Sequence, residues 1–425
     1  MKSYISFLIF LCLILTLSGC IEVPSHSLPS VTIDVEFNKP TALDQYVLDN
    51  LKFEFTNISN STTYSFCSEE GIKLIPGLYN ISFSATTDSH DNSARQLRGF
   101  MQSVEVTGER MTIYIPIFIA PVSNDFVISE IFFAGTLQSS GNQYYGDDYI
   151  KIYNNTDKTL YADGLTIFES KFTTTQKYNY TPDIMENDVT VQALYTIPGN
   201  GTDFPILPGQ YILIADTGID HRVINPNSFN LSHADWEWYD ISSVPSFMDI
   251  DSPTVPNLDK WYCYTQSFWL LHNRGFKAYG IARIPIPKQE YLKNYRYSYD
   301  YDIIVEAGSF PMSDSAYRIP NEWIVDMVNC SIASEFAWTV CHPSLDAGWT
   351  YCGTIDKDKT RYFHSVRRKM VALSPSGNPI LQDTNNSTND FNPFCTPSEI
   401  ELQHSATDLY GSAATVITYD GVNPK

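Results

Sequence analysis

The stretch Asp148-Tyr-Ile-Lys-Ile-Tyr-Asn-Asn-Thr-Asp157 has the composition of a strand that ends in a turn. Its first half places aromatic and β-branched residues around one lysine, which favours a strand, and its Asn-Asn-Thr-Asp end favours a turn. Similar strands occur before and after it, at Phe126-Val-Ile-Ser-Glu-Ile-Phe-Phe133, Leu160-Tyr-Ala-Asp-Gly-Leu-Thr-Ile167 and Leu207-Pro-Gly-Gln-Tyr-Ile-Leu-Ile-Ala215. Short strands separated by turn residues, without a helical period, predict an all-β domain over residues 122–425.

The residues before this domain also have the pattern of strands. Val31-Thr-Ile-Asp-Val-Glu-Phe37 and Leu51-Lys-Phe-Glu-Phe55 alternate apolar and polar side chains. Leu78-Tyr-Asn-Ile-Ser-Phe-Ser84 alternates again after the turn residues Pro76 and Gly77. Alternation of this kind is typical of half-buried strands, so residues 31–121 are predicted to form an N-terminal β-sandwich.

The N-terminus has the features of an export signal. Lys2 is followed by an apolar run from Ile5 to Leu17, which is too short and too close to the terminus for an ordinary membrane span. The run ends in Leu17-Ser-Gly-Cys20, which resembles the bacterial lipobox. That resemblance implies cleavage of residues 1–19 and attachment of fatty-acyl chains such as palmitate to Cys20. Two or more chains anchor a protein stably, and residues 20–30 would form the tether.

The residues after Cys20 bear on the side of the membrane. Position 21 is Ile rather than the Asp that retains some lipoproteins on the inner membrane, and Glu22 is the one acid where surface lipoproteins of Bacteroidetes have an acidic run. The lipid anchor is therefore predicted to lie in the outer membrane. We expect the cell surface rather than the periplasmic face.

Composition limits the partners that the protein can bind. The 425 residues include 27 Lys and Arg against 48 Asp and Glu, which gives a net charge of −21, and 14% of them are aromatic. This excess of acids disfavours nucleic acid and anionic lipid as partners. It suits cations, neutral sugars or a basic protein surface.

The sequence contains none of the common catalytic signatures. Gly-x-Ser-x-Gly, His-Glu-x-x-His, a phosphate-binding loop and Gly-x-Gly-x-x-Gly after a strand are all missing. We therefore predict a protein that is not an enzyme and needs no cofactor, with a paired-carboxylate hydrolase as the alternative. Ca²⁺ is an ion that the acids and the polar turn Asp383–Phe391 would suit, although Asx-turn chemistry that orders a long loop is the favoured explanation of that turn.

Six cysteines lie beyond Cys20 and none of them is spaced Cys-x-x-Cys, so zinc and thioredoxin-like sites are unsupported. Disulfides are permitted outside the cytoplasm. The cluster Cys330, Cys341 and Cys352 is the predicted place for one bridge.

A segment rich in Trp, Tyr and Asp is the candidate ligand-binding site. Ala234-Asp-Trp-Glu-Trp-Tyr-Asp240 combines rings that stack on sugars or planar ligands with carboxylates that accept hydrogen bonds. The alternative is that these rings only fill a subsidiary core. His221, His233 and Asp235 could in principle ligate a transition metal, but lone histidines and aspartates in loops favour a polar surface. The predicted ligand-binding residues are Trp236, Trp238, Trp261, Trp269, Asp235, Glu237, Asp249 and Asp251.

Several motifs resemble known families. Leu74-Ile-Pro-Gly-Leu-Tyr-Asn-Ile-Ser82 is similar to a strand of transthyretin-like and carboxypeptidase-regulatory-like domains. The strands from Phe126 to Ala215, with Trp323-Ile-Val-Asp-Met-Val328 and Ser365-Val-Arg-Arg-Lys369, resemble the immunoglobulin-like lamin-tail domain. A stretch at about 217–318 departs from that domain and is interpreted as a large insertion.

The whole chain from about residue 30 to 395 resembles a family of Bacteroidetes lipoproteins, domain-of-unknown-function family 4876. The matching motifs are Tyr149-Ile-Lys-Ile-Tyr-Asn-Asn155, Ala234-Asp-Trp-Glu-Trp-Tyr239, Asn273-Arg-Gly-Phe-Lys-Ala-Tyr279 and Asp383-Thr-Asn-Asn-Ser-Thr388. The resemblance implies no known activity. Because such lipoproteins often accompany TonB-dependent outer-membrane transporters, the expected function is a ligand-binding or accessory subunit of nutrient uptake. A structural or adhesive surface protein is the alternative.

Overall fold

The computed structural model describes residues 29–38, 47–87, 96–119, 124–374 and 376–403. The export signal, Cys20 and most of the tether lie outside the described residues. Strands dominate the described part of the chain, and its helices are short, so the prediction of an all-β fold is confirmed. Within this part, no helix is long and apolar enough to cross a membrane.

The N-terminal part forms one sheet in the order β3-β2-β5-β6-β7-β1-β4. Its strands are β1 (Val31–Asn38), β2 (Leu48–Asn57), β3 (Thr63–Phe66), β4 (Ile72–Leu74), β5 (Gly77–Thr87), β6 (Gln96–Val106) and β7 (Arg110–Ile119). The strand β1 runs parallel to β7, and the other pairs are antiparallel. The buried side chains alternate along β5, and Phe53, Phe55, Tyr79, Ile81 and Phe83 are members of a separate core.

The rest of the chain contains two larger sheets, ordered β15-β14-β9-β8-β21-β24 and β18-β19-β12-β11-β17-β20, with β16 also paired to β12. Two small two-stranded sheets, β10–β13 and β22–β23, contain the remaining strands. The strands are β8 (Val127–Phe132), β9 (Tyr149–Tyr153), β10 (Leu160–Tyr161), β11 (Leu165–Ser170), β12 (Asp188–Thr196), β13 (Pro205–Ile206), β14 (Tyr211–Ala215), β15 (Trp236–Glu237), β16 (Asp259–Cys263), β17 (Ala278–Arg283), β18 (Arg296–Val305), β19 (Gly308–Pro320), β20 (Ile324–Asn329), β21 (Ser365–Arg368), β22 (Met370–Leu373), β23 (Pro379–Leu381) and β24 (Phe391–Cys395). The helices are α1 (Lys288–Asn294), α2 (Ser387–Asp390) and α3 (Ser398–Gln403), with single 3-10 turns at His221–Val223, Asn321–Trp323 and Lys359–Arg361.

The two larger sheets enclose the main core of the protein. Ile150 and Ile152 of β9 pack in the same cluster as Ile167 of β11 and Ile281 of β17. Because side chains alternate along a strand, Tyr149 points to the opposite face, where a second cluster covers it. A third cluster, with Tyr291 of α1, covers the outer face of β11, β12 and β17. Both faces of these central strands are therefore buried.

The stretch interpreted as an insertion, residues 217–318, is part of this sandwich. It supplies β17, which lies between β11 and β20 and pairs with both. It also supplies β16, β18 and most of β19. The stretch is thus an integral part of the second sheet rather than an appendage beside it.

A buried arginine ties the late strands to the first strand of this domain. The Arg368 Nε donates to the backbone oxygen of Ile128 at 2.7 Å, and its Nη2 lies 2.5 Å from an oxygen of Asp326. Asp383 accepts from the same guanidinium at 3.3 Å. These bonds connect β8, β20 and β21 in a place that solvent does not reach.

Candidate functional site

Three of the four tryptophans predicted to bind ligand lie in the main core. Trp238 and Trp269 are fully buried, and Trp236 is nearly so. Tyr195 of β12 stacks on Trp269 with ring centroids 5.1 Å apart. Since protein atoms cover their faces, these rings fill the core, and the expectation that they stack on a ligand is wrong for them. The alternative that they form a core is the one that the burial supports.

The acidic side chains near these tryptophans accept hydrogen bonds from neighbouring loops. Glu237 accepts hydrogen bonds from the backbone N–H groups of Gly218 at 2.6 Å and Ser252 at 2.7 Å. Asp249 accepts from the N–H of Asp240 at 2.8 Å, and Asp251 accepts from the Asn257 side chain at 2.9 Å. Burial raises the pKa of Glu237 to about 7 and that of Asp249 to about 6.

The remaining two predicted residues, Trp261 and Asp235, lie outside the main core. Trp261 is half-buried in the outer cluster and packs on Tyr291 with centroids 5.6 Å apart. Asp235 accepts a hydrogen bond from the N–H of Leu213 at 2.8 Å. The four tryptophans therefore do not share one core, and none of them borders a described cavity.

The cysteine cluster is buried and unbridged. Cys330, Cys341 and Cys352 are free thiols in the structure, so the disulfide expected among them is not formed there. Burial raises the pKa of all three thiols, to about 12 for Cys341. Buried thiols with raised pKa values are chemically inert.

No cluster of metal-binding side chains occurs among the described residues. His221 is held by the Tyr144 hydroxyl at 2.9 Å and the Thr217 backbone oxygen at 2.8 Å. In the turn Asp383–Phe391, Asp390 accepts from the Thr384 N–H at 2.8 Å and from the Thr384 hydroxyl at 2.7 Å. The turn is thus ordered by its own hydrogen bonds.

A pocket lined by aromatic side chains lies elsewhere on the second sheet. We call it the aromatic pocket, and its volume is about 190 Å³. Its lining comes from the loop after β11, from β12 and β18, and from the segment after β20. The lining residues are Phe172, Lys177, Tyr178, Asn179, Tyr180, Asp183, Ile184, Met185, Asp188, Thr190, Tyr297, Trp338 and Val340.

The alternation of β18 places its tyrosines on one face. Tyr297, Tyr299 and Tyr301 are two residues apart and therefore point to the same side of the strand. The loop is fastened along the strand at Thr181, whose N–H and C=O both bond the backbone of Asp300 at 2.9 Å. The loop tyrosines consequently lie over the strand tyrosines.

The rings pack in a continuous row. Tyr180 stacks on Phe172 with centroids 3.9 Å apart and an angle of 12°, and Tyr178 lies 4.8 Å from Tyr301. The Trp338 Nε1 donates to the backbone oxygen of Thr173 at 2.9 Å, which fixes the indole beside them. Tyr178, Tyr180 and Trp338 remain only half-buried, so parts of their faces are open.

The polar side chains of the pocket, apart from its tyrosines, are Lys177, Asn179, Asp183, Asp188 and Thr190. Both oxygens of Asp188 are taken by Arg318, at 2.8 and 2.7 Å. Burial raises the pKa of Tyr180, and raises that of Tyr297 to about 12, so both phenols are neutral at physiological pH. The hydroxyl of Thr190 is buried, with 3% of the residue exposed, and has no hydrogen-bond partner within the described part of the chain.

An unpartnered buried hydroxyl in a pocket is significant because it costs free energy until something bonds it. Aromatic faces and one such hydroxyl together suit a ligand with a flat or ring-shaped face and a hydroxyl group. The arrangement is suited to binding.

Sequence reasoning missed this pocket. Its signal was the spacing Tyr178-x-Tyr180 and Tyr297-x-Tyr-x-Tyr301, the same two-residue period as in a strand. The density of tryptophan in the sequence favours the buried rings instead.

Fold and pocket define the class: an all-β protein built from β-sandwiches, with a pocket lined by aromatic side chains on one sheet. Residues 207–398 match the profile of the family described as "Protein of unknown function (DUF4876)", which confirms the predicted resemblance over that region. The lipid anchor and the lamin-tail likeness stay predictions.

A solved structure has the same fold. It is the crystal structure of a DUF4876 family protein from Bacteroides thetaiotaomicron, with 21% sequence identity and a TM-score of 0.57. The comparison covers 90% of this chain and 99% of that one. No curated protein matches this chain.

Proposed function

We propose that this is a lipid-anchored envelope protein that binds a neutral sugar in the aromatic pocket, as a ligand-binding subunit of outer-membrane nutrient uptake. The observation that carries the proposal is the buried hydroxyl of Thr190, which no described residue bonds, in a pocket with open tyrosine and tryptophan faces.

Sugar chemistry fits these groups. A sugar ring offers an apolar face to an aromatic ring and hydroxyls at its edge. The Thr190 hydroxyl can donate one hydrogen bond and accept another, which matches a sugar hydroxyl. The net charge of −21 disfavours an anionic ligand. The phenols of Tyr180 and Tyr297 are neutral, so they need no ligand charge to balance them.

The proposed attachment to the outer membrane is inferred from the sequence. Acyl chains on Cys20 and a tether of residues 20–30 would hold the folded part close to the outer membrane, with the cell surface favoured. A TonB-dependent transporter is the partner that this role requires. Cys20→Ser should release the protein from the membrane fraction, and a variant that still sediments with salt-washed membranes would contradict the anchor.

Binding is tested on a glycan array and then by calorimetry with the sugars that score. Tyr180→Ala should abolish binding, because it removes the ring at the centre of the aromatic row. The matched control is Tyr145→Ala, a surface tyrosine outside the pocket, which should bind as the parent does. An array without any bound sugar, or equal binding by the Tyr180 variant, would refute the proposal.

A further inference from the structure

The hairpin of β18 and β19 carries an apolar face that continues beyond the aromatic pocket. In its register, Tyr301 lies opposite Met312 and Ile303 lies opposite Phe310. Opposite residues point to the same face of a hairpin, so these four side chains form one patch. Phe310 is 51% exposed and Met312 is 41% exposed, which is unusual for large apolar side chains grouped together.

One edge of the hairpin is also open. The strand β18 is the terminal strand of its sheet. Asp300 directs its backbone N–H and C=O outwards, because both bond Thr181 of the loop. Since alternate residues of a strand point their backbone groups the same way, those of Asp302 and Ile304 also point outwards.

Nothing in the described part of the chain bonds these outward groups of Asp302 and Ile304. Pro311 lies opposite Asp302, where its missing N–H breaks no bond because that pair does not exchange hydrogen bonds. The edge therefore offers a short, unpaired row of donors and acceptors beside an apolar patch, which is what a pairing strand needs.

The charges of the hairpin indicate what kind of strand fits. Asp300, Asp302 and Glu306 are acidic, and residues 301–314 contain no Lys or Arg. Pairing with a second copy of this edge would bring like charges together, which is unfavourable. A strand with basic side chains beside Asp300 and Asp302 and apolar side chains on the other face would complement both the acidic residues and the apolar patch.

We propose that the open edge of β18 binds an extended segment of a partner protein in which apolar and basic residues alternate. The segment adds a strand to the sheet, its apolar side chains cover Ile303 and Phe310, and its basic side chains face Asp302. This interaction does not depend on the proposed sugar site.

The test uses a fluorescein-labelled peptide of alternating Val and Lys, with the matching Val-Glu peptide as a control, and fluorescence anisotropy with the folded protein. Ile304→Pro removes the outward N–H at a place where an edge strand tolerates proline. It should weaken Val-Lys binding about tenfold. Ile304→Val keeps the N–H and should bind as the parent does. Asp302→Lys leaves the backbone unchanged and should weaken binding by charge alone.

The proposal is supported if the Val-Lys peptide binds saturably and the Val-Glu peptide does not, and if the Ile304→Pro and Asp302→Lys variants weaken this binding while Ile304→Val does not. Absence of saturable binding, or equal binding of the two peptides, overturns it. Equal affinities of the Ile304→Pro and Ile304→Val variants also overturn it. If Ile304→Pro unfolds, equal binding by Asp302→Lys and the parent decides against the proposal. A parent dimer that Asp302→Lys strengthens would mean that a second copy occupies the edge instead.

Discussion

The indole rings of Trp238 and Trp269 lie with their centroids 4.9 Å apart and tilted by 47° in the core between the two larger sheets. Trp238 comes from the segment at β15 on one sheet, and Tyr195 of the other sheet stacks on Trp269. The aromatic residues of the supposed binding segment thus join the two sheets.

Trp238→Ala should destabilise the protein by about 3–5 kcal/mol, because it opens a large cavity in a fully buried place. Trp261→Ala, at a half-buried position in the outer cluster, should have a distinctly smaller effect on the free energy of unfolding. Urea denaturation of both variants measures the difference, and equal losses would contradict this assignment of the core.

The strands were predictable because their signal is local. The alternation in Val31–Phe37 needs only neighbouring residues, and the structure has β1 over Val31–Asn38. The burial of Trp238 was not predictable, because alternation in Trp236-Glu-Trp238 places both rings on one face, which a core and a ligand-binding surface require equally. The aromatic row beside the pocket brings Tyr180 into contact with Tyr299, two residues that are far apart in sequence, and no local pattern reports such a contact.

Thr190→Val should raise the melting temperature, with a gain of about 1 kcal/mol, because it replaces an unpartnered buried hydroxyl by a methyl group of similar shape. The same variant should lower sugar affinity. Thr166→Val is the control, since that hydroxyl is bonded to the hydroxyl of Thr196 at 2.8 Å and its loss should destabilise the protein. Destabilisation of both variants to the same extent would show that Thr190 has a partner in the free protein.

The docking of α3 should depend on pH through His233 and Glu399. The His233 Nε2 lies 3.0 Å from one Glu399 oxygen, and the Lys151 Nζ lies 2.6 Å from the other. The hydrogen bond to Glu399 raises the pKa of His233 above 6.5. Burial opposes the ionisation of Glu399, but the bond from His233 and the charge of Lys151 outweigh it and lower its pKa to about 2.

The raised pKa of His233 gives a stabilisation that is complete below pH 6.5 and is lost as the pH rises through the folded-state value. The contribution of Glu399 is complete above pH 4.5 and is lost as the pH falls towards 2. The parent should therefore exceed His233→Gln in melting temperature most clearly between these limits. Melting curves from about pH 5 to 8 measure the difference. A difference that does not shrink towards the alkaline end would contradict the assignment.

Asp346→Asn should destabilise the protein by roughly 3 kcal/mol, because one buried carboxylate holds two distant segments together. It accepts from the N–H groups of Asn329 at 2.7 Å, Ser387 at 2.7 Å and Gly348 at 3.0 Å. Urea denaturation measures the loss. Because these donors already occupy the carboxylate, Ca²⁺ should leave the melting temperature of the parent unchanged, and a rise on adding Ca²⁺ would contradict this explanation of the turn.

A fragment of residues 31–121 should fold by itself, because β1 to β7 pair only with one another in the sheet and share one core. Circular dichroism of the fragment should give a strand spectrum and a cooperative melt. A disordered spectrum would mean that this core needs the rest of the chain.

The position of β21 late in the sequence affects how the chain folds. This strand pairs with β8, and Ser365 bonds Glu130, which is 235 residues earlier in the sequence. Contacts between such distant positions slow folding, since a long loop must close before they form. During synthesis, the edge of β8 that pairs with β21 therefore stays without this partner strand until residue 365 has left the ribosome. The sheet that contains β8 is thus completed only after most of the chain has been made.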